Sequence, residues 1–379
     1  MMSQRSKKEL RDAIRPRYLK ACLSEKGQIL NEFVSATGYH RKYAIRILKH
    51  EPKHTQLKKK GRRKIYAGEV VEALIRIWEI CGRICSKRLQ PFLPEMVAVL
   101  ERHREIQLPP EIKSMLLKMS RATIDRCLRP ARFEPHHGLS TTKPGSLLKK
   151  AIPVQTYTPW EDEKAGFLEV DLVAHCGETT EGHYLNTLTA TDIATGWTEV
   201  QGLPNKTQQA VSDAIEAIRN RLPFPLHGLD TDNGSEFIND TLLRYCQEQR
   251  ITFTRSRPYH KNDQAHVEQK NWSVVRHTIG YDRLETPQEL ANLDAIYADL
   301  RLYINYFQPV IKLMGKVQVD GKTIKKYDRA TTPYRRVLAA ENLPLEAKLK
   351  LTNLYVQLNP AALRSKIDGL QARLWKITR

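Results

Sequence analysis

At 379 residues, 41% of them hydrophobic, the chain has room for two or three domains, each with its own core. No apolar run approaches the ~20 residues of a membrane span, the opening residues carry no secretory signal core, and six scattered cysteines suggest no disulfide framework, so a soluble cytoplasmic protein is expected. A formal net charge of +20 and a pI of about 9.7 point to a polyanionic partner.

Residues 7–23 read as a basic helix, and 26–36 follow with Ile29, Leu30, Phe33 and Val34 at helical spacing. Thr37-Gly38-Tyr39 makes a turn before a helix over 41–50. Two short helices about a glycine-containing turn suit a helix-turn-helix, whose second helix would offer Arg41, Lys42 and Arg46 to DNA. Many helical hairpins share this pattern without touching DNA. The run from Lys58 to Lys64 sets Lys59, Arg62 and Arg63 along phosphates or in a minor groove, and reads equally as a solvated linker. Helices are expected over 68–81, 94–104, 110–118 and 121–128, with Pro94 and Pro110 suited to first positions and Ser120 to an N-cap. The last two form a second candidate helix-turn-helix, with Arg121 and Arg126 outward. Pro, Gly, Ser, Thr and His dominate 131–160, which reads as a linker.

A strand over 167–174 carries Glu169 and Asp171 on one side. Strands over 184–190 and 197–201 make a meander around a turn at Asp192. A helix over 207–221, a strand over 226–231, a helix over 236–249, a strand over 251–255 and a helix over 265–279 follow. The fourth strand runs into Thr231-Asp232-Asn233-Gly234-Ser235-Glu236, and the last helix bears Glu268. Thirty-five residues lie between Asp232 and Glu268. An Asp-Asn-Gly is also an ordinary turn signature, and most acids are simply solvated. Asp192 competes with Asp171 for the first position, and Asp230 with Asp232 for the second.

Three carboxylates suit in-line displacement at a phosphodiester. That reaction is helped by two divalent ions about 3.5–4 Å apart, one on each oxygen flanking the phosphorus. Mg²⁺ is hard and keeps several waters, so only a few protein carboxylates are needed.

Asp171, Asp232 and Glu268 at this spacing resemble the Asp, Asp, 35, Glu signature of retroviral-type integrases and the bacterial insertion-sequence transposases related to them. The likeness is strongest over 166–282 and looser across most of the chain. The order of three strands, helix, strand, helix, strand, helix is similar to the RNase H-like fold of that family. The expected architecture is therefore an α/β core over 161–285, a mixed five-stranded sheet with flanking helices. An all-α DNA-binding region, over 1–55 and 56–130, and a linker over 131–160 precede it. A small basic β/α extension and terminal helices over 286–379 follow. The resemblance implies that Asp171 bridges two Mg²⁺ ions, with Mn²⁺ able to substitute, while Asp232 and Glu268 are outer ligands. It further implies that water or a DNA 3′-hydroxyl attacks directly. The expected partner is double-stranded DNA, both element ends and target, held by a dimer or tetramer because two ends must be kept together.

His175, His260, Lys261 and Lys270 are expected near that DNA. In two respects the chain departs from retroviral integrases. It has no His-His-Cys-Cys zinc module, and Trp272 and Val275 stand four and seven residues after Glu268, where some of those enzymes carry lysines.

Charge follows the same division. Residues 1–150 hold 34 Lys and Arg against 14 Asp and Glu, 151–250 hold 6 against 16, and 251–379 hold 22 against 12. An acidic centre between basic flanks fits a metal-binding core held on DNA by its neighbours. After the core come a helix over 287–305, a basic hairpin over 316–326 about Asp320-Gly321, and helices within 342–379. The whole reads as a transposase that binds terminal repeats through 1–130, cleaves to 3′-hydroxyls and joins them to target DNA. An RNase H-like nuclease or resolvase that never joins, and a domesticated DNA-binding protein, are the alternatives.

Overall fold

The computed structural model describes residues 2–50, 65–132, 164–231, 236–237, 240–255, 264–319, 322–341 and 343–378. They form two compact units that divide after residue 65. The first holds helices α1 (Gln4–Lys20), α2 (Leu23–Thr37) and α3 (Arg41–Lys49). Gly38, at φ +69°, closes α2 with its N–H on the Val34 carbonyl, and α3 starts three residues later. Tyr18, Ile29, Leu30, Phe33, Ala44 and Leu48 make its core. Arg41, Lys42 and Arg46 stay on the exposed face of α3, with the Arg46 guanidinium 5.1 Å over the Tyr43 ring.

The second unit opens with α4 (Glu69–Ile80), α5 (Ser86–Arg102), α6 (Pro110–Leu117) and α7 (Arg121–Leu128), whose apolar faces share one hydrophobic core with the sheet that follows. Helix α5 corrects the expected start at Pro94. It begins at Ser86 and runs through both Pro91 and Pro94. Each proline removes one backbone donor. Leu89, Phe92, Leu93, Met96, Val97 and Leu100, all buried, hold the helix together by packing.

The sheet is built from β1 (Phe167–Ala174), β2 (Asn186–Asp192), β3 (Thr198–Leu203), β4 (Gly228–Thr231) and β5 (Thr252–Arg255), in the order β3-β2-β1-β4-β5. Strands β1 to β3 pair antiparallel, whereas β1–β4 and β4–β5 pair parallel. Helix α8 (Gln208–Arg219) joins β3 to β4, and α9 (Asp240–Glu248) joins β4 to β5. This is the mixed five-stranded sheet of an RNase H-like fold, with β1 at its centre.

The helix expected over 265–279 is broken into three parts. These are α10 (Ala265–Lys270), a π-helical stretch (Asn271–Arg276) and α11 (His277–Ile279). Helix α12 (Pro287–Phe307) opens with a capping box between Thr286 and Glu289 and lies against β3. Hairpin strands β6 (Leu313–Val319) and β7 (Lys322–Tyr327) follow. Then come α13 (Pro333–Ala339), which the sequence reading did not anticipate, α14 (Leu345–Gln357) and α15 (Pro360–Ile377). Among the described residues no helix is long and apolar enough to cross a membrane.

Candidate active site

A strand in mid-sheet alternates its side chains between two faces, so Glu169 and Asp171 of β1 share a face. In the parallel register with β4, Glu169 lies opposite Asp230 and Val170 opposite Thr231, where β4 ends, one residue before Asp232. Asp232 and the Asn233-Gly234 pair lie outside the described residues, as do His260, Lys261, Lys59, Arg62 and Arg63.

Glu169 is 1% exposed, and its Oε2 accepts the backbone N–H groups of His266 at 2.8 Å and Val267 at 2.9 Å. These belong to the first turn of α10, whose own N-cap, Gln264, makes no side-chain cap. A carboxyl from the central strand therefore caps the helix that bears Glu268. Burial pushes Glu169 up to about 8; the two backbone bonds pull it down, and Asp230 and Glu268 nearby push it further up. The acids of β1, β4 and α10 thus stand close enough to feel one another's charge.

Asp171 is held from two sides. Its Oδ1 accepts the Leu172 N–H at 2.8 Å, and its Oδ2 accepts the Asn271 side-chain amide at 2.6 Å. Asn271 opens the π-helical stretch, three residues after Glu268. Its amide oxygen is buried and has no hydrogen-bond partner among the described residues. Strand β1 and the helix bearing Glu268 are thereby joined twice, through Glu169 and through Asn271. The sequence reading assigned a role to neither. The available signal for Glu169 was its position two residues before Asp171, on the same face.

The two rivals have hydrogen-bond partners of their own. Asp192 is fully buried and accepts the N–H of Gly166 at 2.8 Å and the N–H and hydroxyl of Thr195 at 2.7 and 2.6 Å, which is a turn-forming set. Asp230, 8% exposed, accepts the Thr254 hydroxyl at 2.6 Å.

Two residues expected near DNA prove to be interior. His175 is fully buried, its Nε2 sharing a 2.7 Å hydrogen bond with the Thr187 hydroxyl, which bonds in turn to the Tyr297 hydroxyl. Burial, with Arg276 adding to it, pulls His175 down to about 3, so the ring is neutral. A ring enclosed in this way has no face for a phosphate. Lys270 is 9% exposed, because it lies on the packed side of α10, and burial beside Arg88 pulls it down to about 8. By contrast, Arg121 and Arg126 are exposed on α7, with Arg126 reaching the Ala122 carbonyl and the Thr123 hydroxyl.

Among the described residues, no three His, Cys, Asp or Glu side chains complete a metal site. Asp171 and Glu268, on adjoining elements, offer only hard carboxylate oxygens, a donor set suited to Mg²⁺ or Mn²⁺ and unsuited to a thiolate-seeking metal.

Comparison with known proteins places this geometry in a family. Residues 161–261 match the integrase core domain, a span that includes Asp171 and Asp232 and stops before Glu268. An uncharacterised protein of Sinorhizobium fredii, y4rM, is 40% identical over 337 residues, 88% of this chain and 96% of that one. The chain belongs to the integrase-core family. Its match to y4rM extends well beyond the five-stranded sheet, so helices on either side are part of what the two proteins share. Membership makes it an integrase-type transposase by descent, of the polynucleotidyl transferase class, with DNA as partner.

Proposed function

We propose that the protein is a metal-dependent DNA transposase that binds the ends of a mobile element, cleaves them to 3′-hydroxyls and joins these to target DNA. The observation that carries this reading is that the central strand bearing Asp171 is fastened, through Glu169 and Asn271, to the helix whose first turn bears Glu268. Asp171, Asp232 and Glu268 would hold two divalent ions, which when bound supply an activated oxygen nucleophile and offset charge on the phosphate. Asn271 fixes which Asp171 oxygen is turned to the helix, and the Glu169 cap fixes where Glu268 stands. Arg41, Lys42 and Arg46 on α3, and Arg121 and Arg126 on α7, are exposed cations on short helices, suited to a duplex backbone. The basic run containing Lys59, Arg62 and Arg63, with His260 and Lys261, would extend that contact. A dimer or tetramer would keep two ends together.

The test is to incubate the purified protein with Mg²⁺ or Mn²⁺ and DNA carrying the gene's own flanks, mapping new 3′ ends and joined products. Asp232→Asn and Glu268→Gln are run alongside. Joining that needs metal and vanishes in both variants, with DNA binding kept, is the expected result. Cleavage without joining would make the protein a nuclease, and identical DNA binding with no chemistry in all three would make it a binding protein.

A further inference from the structure

The helix that bears Glu268 presents a stripe of exposed side chains, Glu268, Gln269, Trp272, Ser273 and His277, while Val267, Lys270, Val274 and Val275 face inward. Trp272 is 64% exposed, an unusual setting for the largest apolar side chain. Its position follows from the local backbone. The π-helical stretch (Asn271–Arg276) spaces neighbours on one face five residues apart, which sets the His277 ring 6.3 Å from the indole at 55°. That tilted contact covers little of the indole, and among the described residues no cation lies over it. Tyr281, also exposed, differs in having the Arg276 guanidinium 4.8 Å over its ring.

We propose that Trp272 is a stacking platform for an unpaired base at the DNA end, beside the phosphate on which Glu268 acts. The proposal rests on the transposase reading and names a contact within that site. Its occupant follows from place. Trp272 stands one turn beyond Glu268 on the same exposed stripe, so whatever covers it occupies the space next to the reacting phosphate. In that space the duplex offers a phosphate and a base. A base paired inside the duplex has both faces taken by its neighbours in the stack, and a terminal pair offers only its outer face, whereas an unpaired base turns free and is held by an aromatic ring regardless of sequence. An indole at this point would keep the terminal nucleotide from re-pairing and so keep its phosphate in reach of the carboxylates.

The experiment uses full-length protein in metal-free buffer, where no cleavage occurs. Affinity for a blunt duplex is compared with affinity for the same duplex carrying a short thymidine overhang. Wild type, Trp272→Phe and Trp272→Ala are measured, together with tryptophan fluorescence. Wild type is expected to favour the overhang. Trp272→Ala should bind it roughly 5- to 100-fold more weakly, while its affinity for the blunt duplex is unchanged. Trp272→Phe should keep most of the preference and lose a quenched component of the fluorescence. An overhang preference that is equal in wild type and Trp272→Ala, or absent in wild type, overturns the stacking role and leaves the transposase reading intact. A wild type that binds neither duplex removes both.

Discussion

At the scale of single residues, polarity misleads where a side chain is enclosed. His175 follows β1 and bonds to Thr187, which bonds in turn to Tyr297, with Arg276 nearby and, among the described residues, no carboxylate hydrogen-bonded to the ring. Its pKa in the folded chain, about 3, lies below the ~6.5 of a free imidazole. Below pH ~6.5 the unfolded chain therefore binds a proton that the folded chain refuses. This lowers stability progressively as pH falls from ~6.5 towards 3, at up to ~1.4 kcal/mol per pH unit. Between pH 6.5 and 5 the loss from this residue alone should be about 1.6 kcal/mol. Thermal unfolding of wild type and His175→Gln over that range checks it: the wild-type curve should fall more steeply, and parallel curves would refute the assignment. Asp171, Asp232 and Glu268 could be proposed from sequence because a resemblance to a signature needs only residue type and spacing. The part played by Asn271 was not legible, because it depends on an amide meeting Asp171 across a hundred residues of chain.

At the scale of elements, α10 is short, and its cap comes from another element. Glu169→Ala would leave the His266 and Val267 N–H groups unpaired in a buried setting, a cost of about 1–3 kcal/mol, and would free the first turn that carries Glu268. Displacing a reacting group by ~1 Å can cost on the order of 100-fold in rate. Glu169→Gln keeps an oxygen at the same place and should retain the helix and most of the strand-transfer rate, whereas Glu169→Ala should lose both stability and rate. Equal rates for the two variants would show that the cap does not position Glu268. Strand β1 was read residue for residue because its apolar and acidic side chains alternate between two faces and a turn follows. The start of α5 was misread because Pro94 suits a helix opening, and only the packing of Leu89 and Phe92 carries the helix past it. The π-helical stretch left no trace either, since Val267, Val274 and Thr278 fit an uninterrupted α-helix as well.

At the scale of the whole second unit, the sheet that carries Asp171 ends on one side at β3, and an open edge there would invite pairing with another chain. Helix α12 covers that edge with side chains. Asn305 accepts the Thr198 N–H and donates to its carbonyl, both at 2.8 Å, and Asp294 accepts the Gly202 N–H at 3.1 Å. Between them lies an ion pair. Glu199 of β3 is wholly buried, with Arg301 Nε 2.6 Å from its Oε2 and Arg301 Nη2 2.8 Å from its Oε1. The Trp197 indole N–H adds a bond at 2.8 Å, and Arg221 stands 3.5 Å away. A buried pair of this kind contributes little net stability against apolar replacements, yet breaking it strands a charge in the interior. Arg301→Met should therefore destabilise the unit by about 3–5 kcal/mol. Glu199→Met should do likewise, leaving two arginines without their carboxylate. The double variant should cost clearly less than the sum of the two, because neither charge is then left alone. Denaturant unfolding followed by tryptophan fluorescence measures all four proteins. Additive losses would mean that Glu199 and Arg301 act independently, and that the β3 edge is held by Asn305 and Asp294 rather than by the ion pair.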